Sequence, residues 1–568
     1  MTQFPGNVQL PIIVARSAAD ALAAPPWRPA IAILPVLTDW NDFGYYFGAA
    51  LLVVTPGGAV RQIGMHLMFE GKHRTEFAIN EMLAGRPWAS LHEAQLRFCS
   101  VLDEIESYGV LVDLLGFETA VSALRILGDA TVLRAEGLDG RIALLESEEF
   151  AYGALRAEAT YVSYRRGIKY LRPQPIRAVE DAAANFVVTA HLPSAQNPYV
   201  VDFNFDNDAL GRNRIAVLIG KNGTGKTQLL LNLIAAFQQG VDVDPFTRPI
   251  FIEPAIQLNR IIVFSSVASD QYPRSIAPWS GIDYQYFSMI SNSTDDGGAF
   301  TSAFTDCLRD DHKIRFTPGD GSMFAETGRM ALLMRSLNLL GFSSSIHLPL
   351  KVSSEQYDLN TVQRGDRQYF RLDDARRLNE KRRLLLGQSI DPKELPVLFG
   401  IGPGIRQLSS GESAMLRFAA QAAGSAERGC LFLFDEPETH LHPNFVSEFV
   451  SILNTILTAT NSVAIVVTHS AYVVREVPSH RVRIFTLNDR VIAIDRPRLQ
   501  TFGASIDAIS QFAFADSSVS HQYQETLKSW LETLGPNISI DEVVQRFGSQ
   551  MNSETLSYVA RIIQSRSQ

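Results

Sequence analysis

Short apolar runs recur along this chain, and several of them are continuous rather than alternating. Three such runs cover residues 214–219, 431–434 and 463–467. A continuous apolar run of this length is typical of a strand that is buried on both faces of a parallel sheet. After the first run and a glycine-rich stretch, residues 228–234 have helix-like spacing. Strands and helices that alternate in this way predict an α/β fold.

The first 178 residues follow a different pattern. Residues 47–54 and 60–68 are strand-like segments on either side of a Pro-Gly-Gly turn, which indicates a β-hairpin. Residues 91–127 have apolar positions at mixed three- and four-residue spacing, which indicates helix. We therefore predict an N-terminal α+β domain over residues 1–178, and we expect it to serve regulation or partner binding.

The remainder of the chain divides into four segments. Helical spacing over 324–340 and 372–386 predicts a helical insertion between two lobes, and the insertion has no sustained heptads of the kind a coiled-coil arm needs. A further helical pattern ends the chain. The segments are a first lobe at 179–290, the helical insertion at 291–400, a second lobe at 401–500 and a helical C-terminal tail at 501–568.

Composition narrows the class of protein. The chain has 568 residues, 46% hydrophobic and 20% charged, which is typical of a folded globular protein with several domains. No apolar run is long enough to cross a bilayer, and the first residues lack the basic start of a secretory signal. The three cysteines, Cys99, Cys307 and Cys430, give no disulfide framework, so we expect a cytoplasmic protein.

The charge balance is acidic. The formal net charge is −9, whereas a dedicated nucleic-acid binder usually has a basic balance or a basic face. Two local basic clusters stand against this balance. Residues 164–172 mix basic and aromatic side chains, and five basic residues lie between 376 and 383. We interpret the first cluster as a hinge segment and the second as a solvated helix face, with nucleic-acid contact as the alternative for both.

One glycine-rich stretch has the clearest chemistry. It consists of Gly220, Lys221, Asn222, Gly223, Thr224, Gly225, Lys226 and Thr227, which satisfies G-x-x-x-x-G-K-[ST]. Its glycines allow the backbone to surround a phosphate at the positive end of the following helix. Lys226 would reach the β- and γ-phosphates, and the Thr227 hydroxyl would bind Mg²⁺. This stretch predicts binding of ATP with Mg²⁺.

Three polar side chains follow the second and third apolar runs directly. Asp435 and Glu436 come at the end of the second run, and His469 follows the third. A carboxylate at such a strand end can hold Mg²⁺, and a second one can polarise the attacking water. We assign Asp435 to the metal and Glu436 to the water. A histidine in this position can donate to a γ-phosphate, so we assign His469 to catalysis, with a structural role as the alternative.

A second helix start precedes these carboxylates. Ser409, Ser410, Gly411 and Glu412 come just before a helix-like segment at 413–420. Hydroxyls and a glycine in this place are typical of a helix N-terminus, which attracts anions. One P-loop needs only one such helix end for its own phosphates. The second one therefore indicates a site shared between two protomers, with an ordinary N-cap as the alternative.

Together these motifs resemble those of ABC-class ATPases. The Walker A stretch is joined by LSSGE at 408–412, FLFDEPETHLHP at 432–443 and THS at 468–470. The asparagine in GKNGTGKT and the DEPETHLHP block resemble the SMC, RecF and OLD branch more than transporter subunits. The resemblance implies an ABC-type P-loop ATPase head. In that branch, two heads clamp two ATP molecules head to tail.

The resemblance also implies roles for individual residues. Ser409, Ser410 and Gly411 would contact the γ-phosphate of the partner's nucleotide, and Glu412 belongs to the same signature. His469 would be the switch histidine, and residues 438–443 would form the D-loop at the dimer seam.

A glutamine in the first lobe adds a third metal ligand by resemblance. Transporter-type heads have a glutamine after a strand of this lobe, and here Gln271 follows the strand candidate at 261–266. We therefore assign it to the metal with Thr227 and Asp435. The SSVASDQYP block around Gln271 and residues 501–510 are similar to ATPases of Septu-type and retron-linked anti-phage systems.

These observations predict a dimeric switch that hydrolyses ATP to ADP and phosphate. We expect it to form a homodimer through its heads, or a larger assembly, and to control a separate effector such as a nuclease or toxin in anti-phage defence. The tail has no acidic cluster of the kind a TOPRIM nuclease needs. A RecF-like DNA-repair ATPase that acts on DNA is the alternative, and a transporter subunit is a third. We expect no membrane partner.

Overall fold

The strands of the computed structural model lie in two large sheets and three smaller ones, counted over the described residues. The structure describes residues 11–24, 30–36, 41–55, 57–137, 139–172, 182, 185–206, 214–238, 250–275, 282–290, 296–311, 314–316, 325–342, 345–351, 359–400, 404–439, 441–513, 522–535, 538–551 and 553–566.

The N-terminal domain is an α+β unit, as the sequence predicts. Its strands are β1 Ile12–Ala15, β2 Ala30–Pro35, β3 Gly48–Val54, β4 Val60–Phe69, β5 Trp88–Ser90 and β6 Phe98–Leu102. Its helices are α1 Ala18–Ala23, α2 Thr75–Leu83, α3 Ser107–Leu115, α4 Phe117–Ile126, α5 Ala130–Glu136 and α6 Glu158–Arg166. The strand order is β5-β1-β2-β3-β4-β6, in which β1 and β2 run parallel.

The predicted hairpin is confirmed, because β3 and β4 pair antiparallel along their length. The prediction of helix over 91–127 is wrong in its first part, where β6 forms instead. Cys99 and Val101 point into one hydrophobic cluster of this domain and Leu102 into another. Successive side chains on opposite faces are what a strand requires, so pairing with β4 prevails over the helix-like spacing.

The rest of the chain forms the following elements. The first lobe has β7 Phe186–Ala190, β8 Tyr199–Phe203, β9 Ile215–Gly220, α7 Lys226–Gln238, β10 Ile250–Glu253, β11 Arg260–Ser265 and β12 Asp283–Ser288. The insertion has α8 Asp296–Arg309, β13 Ile314–Phe316, β14 Ala325–Thr327, α9 Arg329–Asn338, β15 Ile346–Pro349, β16 Thr361–Arg364, β17 Arg367–Arg371, α10 Glu380–Ser389 and β18 Val397–Phe399. The second lobe has β19 Ile405–Gln407, α11 Ser410–Ser425, β20 Cys430–Asp435, α12 Pro443–Thr460, β21 Val463–Thr468, α13 Ala471–Arg475, β22 Val482–Asn488 and β23 Val491–Asp495. The tail has α14 Ile506–Ala513, α15 Gln522–Thr533, α16 Ile540–Phe547 and α17 Ser553–Arg566.

A seven-stranded sheet joins the two lobes in the order β12-β11-β20-β21-β9-β22-β23. All neighbours run parallel except β22 and β23. The register places Asp435 opposite Ser265 and Val467, and Thr468 opposite Ile219. The carboxyl ends of β9, β11, β20 and β21 therefore meet at one edge of the sheet. Ligands of open α/β sheets bind at this edge.

The two faces of this sheet belong to different hydrophobic clusters. Val217 and Phe432 pack into the larger cluster with the helices α8, α9, α11 and α12. Leu218 and Leu433 pack into the other, with α7 and the antiparallel sheet β10-β7-β8. Both faces are covered, which explains why the strand sequences are continuously apolar.

The insertion corrects one expectation. It contains the three helices α8, α9 and α10, but it also contributes to the five-stranded antiparallel sheet β16-β17-β15-β18-β19 and the pair β13-β14. The segment is therefore α+β rather than purely helical. Its strands are only three to five residues long, and strands this short leave a weak period-two signal beside two long helical patterns.

Helix α11 is buried along nearly its whole length. Its residues from Ser413 to Ser425 all lie in the interior, between α8, α9 and α12. Small side chains make this possible, since Ala419 and Ala423 are fully buried and Gly424 lies against α8. A Cβ added at Gly424 would lie 2.9 Å from the Ala303 carbonyl oxygen. The helices therefore approach closely.

The basic segment near residue 165 joins the N-terminal domain to the rest of the chain. Arg165 Nε donates to Asp306 Oδ1 at 2.6 Å. Arg166 donates to Glu427 Oε1 at 2.6 Å and to the Gly424 carbonyl at 2.7 Å. The Arg166 side chain is 8% exposed. The interpretation of this cluster as a hinge is therefore corrected: it is a buried interface against α8 and the end of α11.

The second basic cluster is only partly solvated. Arg383 contacts Glu158 at 3.2 Å and Asp311 at 3.5 Å, and its side chain is 18% exposed. Lys381 lies 3.7 Å from Asp42 of the N-terminal domain. Much of this positive charge is therefore balanced by carboxylates of the same chain. Among the described residues, no helix is long and apolar enough to span a membrane.

Candidate nucleotide-binding site

The glycine-rich stretch forms a loop between β9 and α7, as the sequence predicts. Lys226 is the first residue of α7 and is 5% exposed. Its Nζ donates to the carbonyls of Gly220 at 2.8 Å and Lys221 at 3.0 Å, and lies 3.4 Å from Thr224 Oγ1. The loop therefore curls around its own lysine. Backbone N–H groups at the start of α7 complete an anion-binding cradle.

Two glycines give the loop its shape. Gly223 and Gly225 have φ of +81° and +84°, a conformation that other residues rarely adopt. A Cβ at Gly225 would also lie 2.7 Å from the hydroxyl of Tyr199. That hydroxyl contacts Ser194 Oγ at 2.7 Å and donates to the Thr224 carbonyl at 3.1 Å. The antiparallel sheet thus supports the loop through β8.

Burial controls the charge of Lys226. Loss of hydration lowers the pKa of its ammonium group to about 8, while the neighbouring Glu436 and Asp435 act in the opposite direction. The lysine hydrogen-bonds to uncharged carbonyls rather than to a carboxylate. A polyphosphate is the kind of anion that would balance this buried cation.

The predicted metal ligands Thr227 and Asp435 are brought together. Thr227 Oγ1 donates to Asp435 Oδ1 at 3.2 Å. The other carboxylate oxygen, Oδ2, accepts from the hydroxyl of Tyr272 at 3.0 Å. Asp435 is 1% exposed, and this burial raises its pKa to about 6. A hydroxyl and a carboxylate are hard oxygen donors, the class of ligand that Mg²⁺ takes beside substrate phosphates.

Glu436 has an unusual backbone conformation. It has a φ of +51° although it is not a glycine, and its N–H donates to the Val467 carbonyl at 2.9 Å. The turn directs its carboxylate to His469, whose Nε2 lies 3.2 Å from Glu436 Oε1. Thr439 Oγ1 lies 3.5 Å from Oε2. The hydrogen bond from His469 lowers the pKa of Glu436, which favours the ionised carboxylate.

A further carboxylate, Glu438, is the first residue of the predicted D-loop, but no role is predicted for its side chain from the sequence. Its Oε1 accepts from Thr468 Oγ1 at 2.6 Å and from the His469 N–H at 2.9 Å. Burial raises the pKa of Glu438. Its Oε2 is buried and has no hydrogen-bond partner among the described residues. Glu438 thus fixes the loop that presents His469. In the sequence, the only indication of this role is that Glu438 is the second glutamate of the DEPE motif at 435–438.

The signature residues form a capped helix start. Ser409 is the N-cap of α11, its Oγ accepts from the Glu412 N–H at 3.3 Å, and Glu412 Oε2 accepts from the Ser409 N–H at 2.8 Å. Arg406 holds Glu412 with two hydrogen bonds of 2.8 Å, and the bond from Arg406 lowers the pKa of Glu412 to about 2. A Cβ at Gly411 would lie 2.8 Å from Phe445. Ser409 and Ser410 are exposed.

The roles assigned to the site residues remain predictions, including those of Gln271 and of the D-loop segment at 438–443. Gln271 is exposed, and its neighbour Tyr272 makes the contact with Asp435. In the predicted D-loop at 438–443, His440 lies outside the described residues. Lys221, Asn222 and Gly223 are exposed on the loop, where a nucleotide could reach them.

The site matches a known family profile in its second half. A profile described as "AAA domain, putative AbiEii toxin, Type IV TA system" matches residues 340–475. This span includes the signature, Asp435, Glu436 and His469, and it begins after the P-loop. The P-loop itself joins these residues through the sheet register and the bond between Thr227 and Asp435.

The chain contains an AAA-type P-loop ATPase domain. Protein ea59 of Escherichia phage lambda is 25% identical to the chain over 383 residues, which cover 64% of this chain and 66% of that protein. The chain thus spans about two thirds of the length of this relative.

Solved structures of an SMC head domain and of an ATP-binding cassette are also similar to part of this chain. The SMC head domain from Thermotoga maritima has a TM-score of 0.28 and 12% identity, covering 55% of this chain and 98% of that one. An ATP-binding cassette of an ABC transporter, in its ADP conformation, has a TM-score of 0.27 and 11% identity, covering 59% and 96%. The assignment of the ATPase domain rests on the sheet order and the site residues of this chain.

Proposed function

We propose that the ATPase domain hydrolyses ATP and works as a dimeric switch for a separate effector. One observation carries the hydrolytic part: a P-loop, a hydroxyl, and two carboxylates meet at one edge of the parallel sheet. Asp435 touches Thr227, and Glu436 touches His469. The two carboxylates have different surroundings, because burial raises the pKa of Asp435 whereas His469 lowers that of Glu436. This difference supports separate roles.

The residues suggest the following chemistry. Lys226 would exchange its backbone carbonyls for oxygens of the β- and γ-phosphates. Thr227 and Asp435 would hold Mg²⁺, which neutralises phosphate charge when bound. Glu436 would accept a proton from water as the water oxygen bonds to the γ-phosphorus. The bond from that phosphorus to the bridging oxygen breaks, and ADP and phosphate result.

A second head would complete the site. Ser409 and Ser410 are exposed at the start of α11, and in the described part of the chain no hydrogen bond joins them to the P-loop. They lie at the N-terminal end of α11, where the helix dipole favours an anion. We therefore propose that they contact the γ-phosphate held by another copy of the chain, in a head-to-tail homodimer.

The N-terminal domain would transmit the state of the heads. Its α6 contacts α8 and the C-terminal end of the signature helix α11 through buried arginines. A switch needs a part that responds to the difference between two head geometries, and this interface is suited to that role. The matched profile names a toxin of a toxin–antitoxin system. That description supports a role for this chain in such a system. The toxin or nuclease effector and the setting in anti-phage defence rest on the sequence resemblance alone.

The alternative of a RecF-like ATPase that acts directly on DNA has less support. Arg165 and Arg166 of the first basic cluster form ion pairs with Asp306, Asp310 and Glu427. Buried arginines cannot release counterions from a phosphate backbone. The net charge of −9 points the same way.

The hydrolytic assignment is tested with Lys226→Ala. This change removes the one ammonium group that the loop surrounds, so ATP binding measured by calorimetry and phosphate release should both fall strongly. Lys72→Ala is the control, since Lys72 pairs with Glu81 on the N-terminal domain. Phosphate release at the wild-type rate by the Lys226→Ala chain would disprove the site.

A further inference from the structure

The loop that follows β11 is held in place by tyrosine hydroxyls. Tyr284 donates to the Pro273 carbonyl at 2.8 Å, and Tyr286 donates to Asp270 Oδ2 at 2.8 Å. The guanidinium of Arg274 lies 4.0 Å from the centre of the Tyr286 ring and 3.1 Å from Asp270. These contacts attach the loop to the edge strand β12. They leave the loop with one defined conformation next to the nucleotide site.

Tyr272 lies in the middle of this loop and contacts a carboxylate of the nucleotide site. Its hydroxyl donates to Asp435 Oδ2 at 3.0 Å. Both residues are buried, with 3% of Tyr272 and 1% of Asp435 exposed. The ring of Tyr272 packs in the hydrophobic cluster that contains Leu229 and Leu233 of the P-loop helix. The hydroxyl therefore reaches the carboxylate from a fixed position.

The two oxygens of Asp435 thus have different donors. Oδ1 accepts from Thr227 and Oδ2 accepts from Tyr272. A carboxylate bound at both oxygens cannot rotate its plane without losing one bond. The hydrogen bond from Tyr272 therefore holds Oδ1 beside the Thr227 hydroxyl, where the metal would bind. Partners of this kind orient metal ligands and tune their affinity.

We propose that Tyr272 is a positioning residue for the Mg²⁺ site, and that through it the loop after β11 controls how tightly the site holds the metal. The proposal rests on the proposed function, since it requires Asp435 to be a metal ligand. Through Tyr272 the loop would influence the metal site without any contact from Gln271, which is exposed. Loss of the β12 contacts would allow the Tyr272 hydroxyl to leave Asp435, and the carboxylate would then be free to rotate away from Thr227.

The test compares Tyr272→Phe with Tyr286→Phe in the full chain. Each change removes one hydroxyl that donates to a carboxylate and keeps the ring, but only the first affects Asp435. ADP binding is measured by calorimetry at a series of Mg²⁺ concentrations and again in EDTA. Tyr272→Phe should raise the Mg²⁺ concentration for half-maximal enhancement of ADP binding by about 10- to 100-fold, the usual effect of losing such a partner. ADP affinity in EDTA should change less than about twofold, since only the metal ligand is disturbed.

Other outcomes separate the two proposals. Equal Mg²⁺ dependence in Tyr272→Phe, Tyr286→Phe and wild type would overturn the positioning role and leave ATP hydrolysis standing. A wild-type chain whose ADP binding ignores Mg²⁺ would instead overturn the metal site itself. If Tyr272→Phe weakens ADP binding equally with and without Mg²⁺, the tyrosine is merely structural and the proposal fails.

A double variant checks the route of the effect. If Tyr272 acts through Asp435, adding Tyr272→Phe to Asp435→Asn should change the Mg²⁺ dependence of ADP binding little further, because coupled residues are not additive. Full additivity of the two changes would contradict the proposal.

Discussion

The imidazole Nε2 of His469 lies 3.2 Å from Oε1 of Glu436. The two residues follow neighbouring parallel strands, β20 and β21, so the sheet itself brings them together. Glu438 holds the backbone of His469, because its carboxylate accepts a hydrogen bond from the His469 N–H. The proposed base, Glu436, and the proposed switch residue, His469, are therefore in direct contact. A substitution of either residue should change the position or charge of the other.

The first prediction concerns Glu436→Gln. The amide keeps the size of the side chain and can still contact His469, but it cannot accept the proton of the attacking water. Phosphate release should fall by about 10²–10⁴, the usual contribution of a general base. ATP binding measured by calorimetry should persist, and ATP should accumulate on the protein. Loss of binding in parallel with turnover would show that Glu436 holds the nucleotide instead.

The second prediction concerns the shared site. Ser409→Arg places a bulky cation at the start of α11, so ATP-dependent dimerisation and hydrolysis should fail while binding to a single head remains. The dimer is detected by measuring the mass in solution of the Glu436→Gln chain with ATP. The same measurement is made on the chain that carries both Glu436→Gln and Ser409→Arg. A strictly monomeric chain with full ATPase activity would exclude a site built from two copies.

Mixing two inactive variants sharpens this second prediction. Lys226→Ala and Ser409→Arg chains together can form one site in which both the P-loop and the signature are native. Their equal mixture should recover part of the wild-type rate, because each mixed dimer has one working site of two. Each variant alone is the control.

The third prediction concerns the domain interface. Arg166→Ala leaves Asp310 and Glu427 buried beside fewer positive charges and removes a donor to the Gly424 carbonyl. We expect a loss of about 3 kcal/mol in the free energy of unfolding, since breaking a buried ion pair leaves uncompensated charge. The melting temperature should fall, and limited proteolysis should separate the N-terminal domain from the ATPase domain.

A matched control comes from the same domain. Arg97 forms two hydrogen bonds to Glu70, but its side chain is 53% exposed. Arg97→Ala should leave the melting temperature nearly unchanged, because exposed ion pairs contribute little. Equal effects of the two substitutions would argue against a buried interface at Arg166.

The fourth prediction concerns pH. Asp129 is fully buried at the start of α5 and accepts from Thr131, Val132 and Tyr108. Burial raises its pKa from 3.8 to about 7. Between these values the folded chain binds a proton that the unfolded chain has lost, so stability falls as pH rises from 5 to about 8. Asp129→Asn has no such proton, and its melting temperature should vary less over this range.

Other groups titrate in both chains and affect both melting temperatures. The control is therefore the difference between the two melting temperatures at each pH. The wild-type melting temperature minus that of Asp129→Asn should decrease from pH 5 to about pH 8. A constant difference would show that Asp129 has an ordinary pKa in the folded chain.

The central sheet and the positions of most candidate site residues could be predicted from the sequence. The strand cores at β9, β20 and β21 are continuously apolar because both sheet faces are covered, and such runs are distinctive. The P-loop is a local motif whose glycine spacing fixes its own conformation. Asp435, Glu436 and His469 were identified by their place at strand ends, which local sequence reveals.

The contacts between distant segments could not be predicted in this way. Tyr272 reaches Asp435 across 163 positions, and Arg166 reaches Glu427 across 261. No local pattern records such pairings. The strands β15 to β18 could not be predicted for a related reason. Their stability comes from pairing with one another rather than from their own residues.

Helix α11 has its signature at one end and its arginine contacts at the other. It is 16 residues long, which corresponds to about 24 Å at 1.5 Å per residue. A tilt of about 10° around its C-terminal end would carry Ser409 through roughly 4 Å over that length. Such a rod acts as a lever. In the proposed dimer, a displacement smaller than one side chain at the N-terminal domain would therefore change the distance from Ser409 to the phosphate held by the other copy.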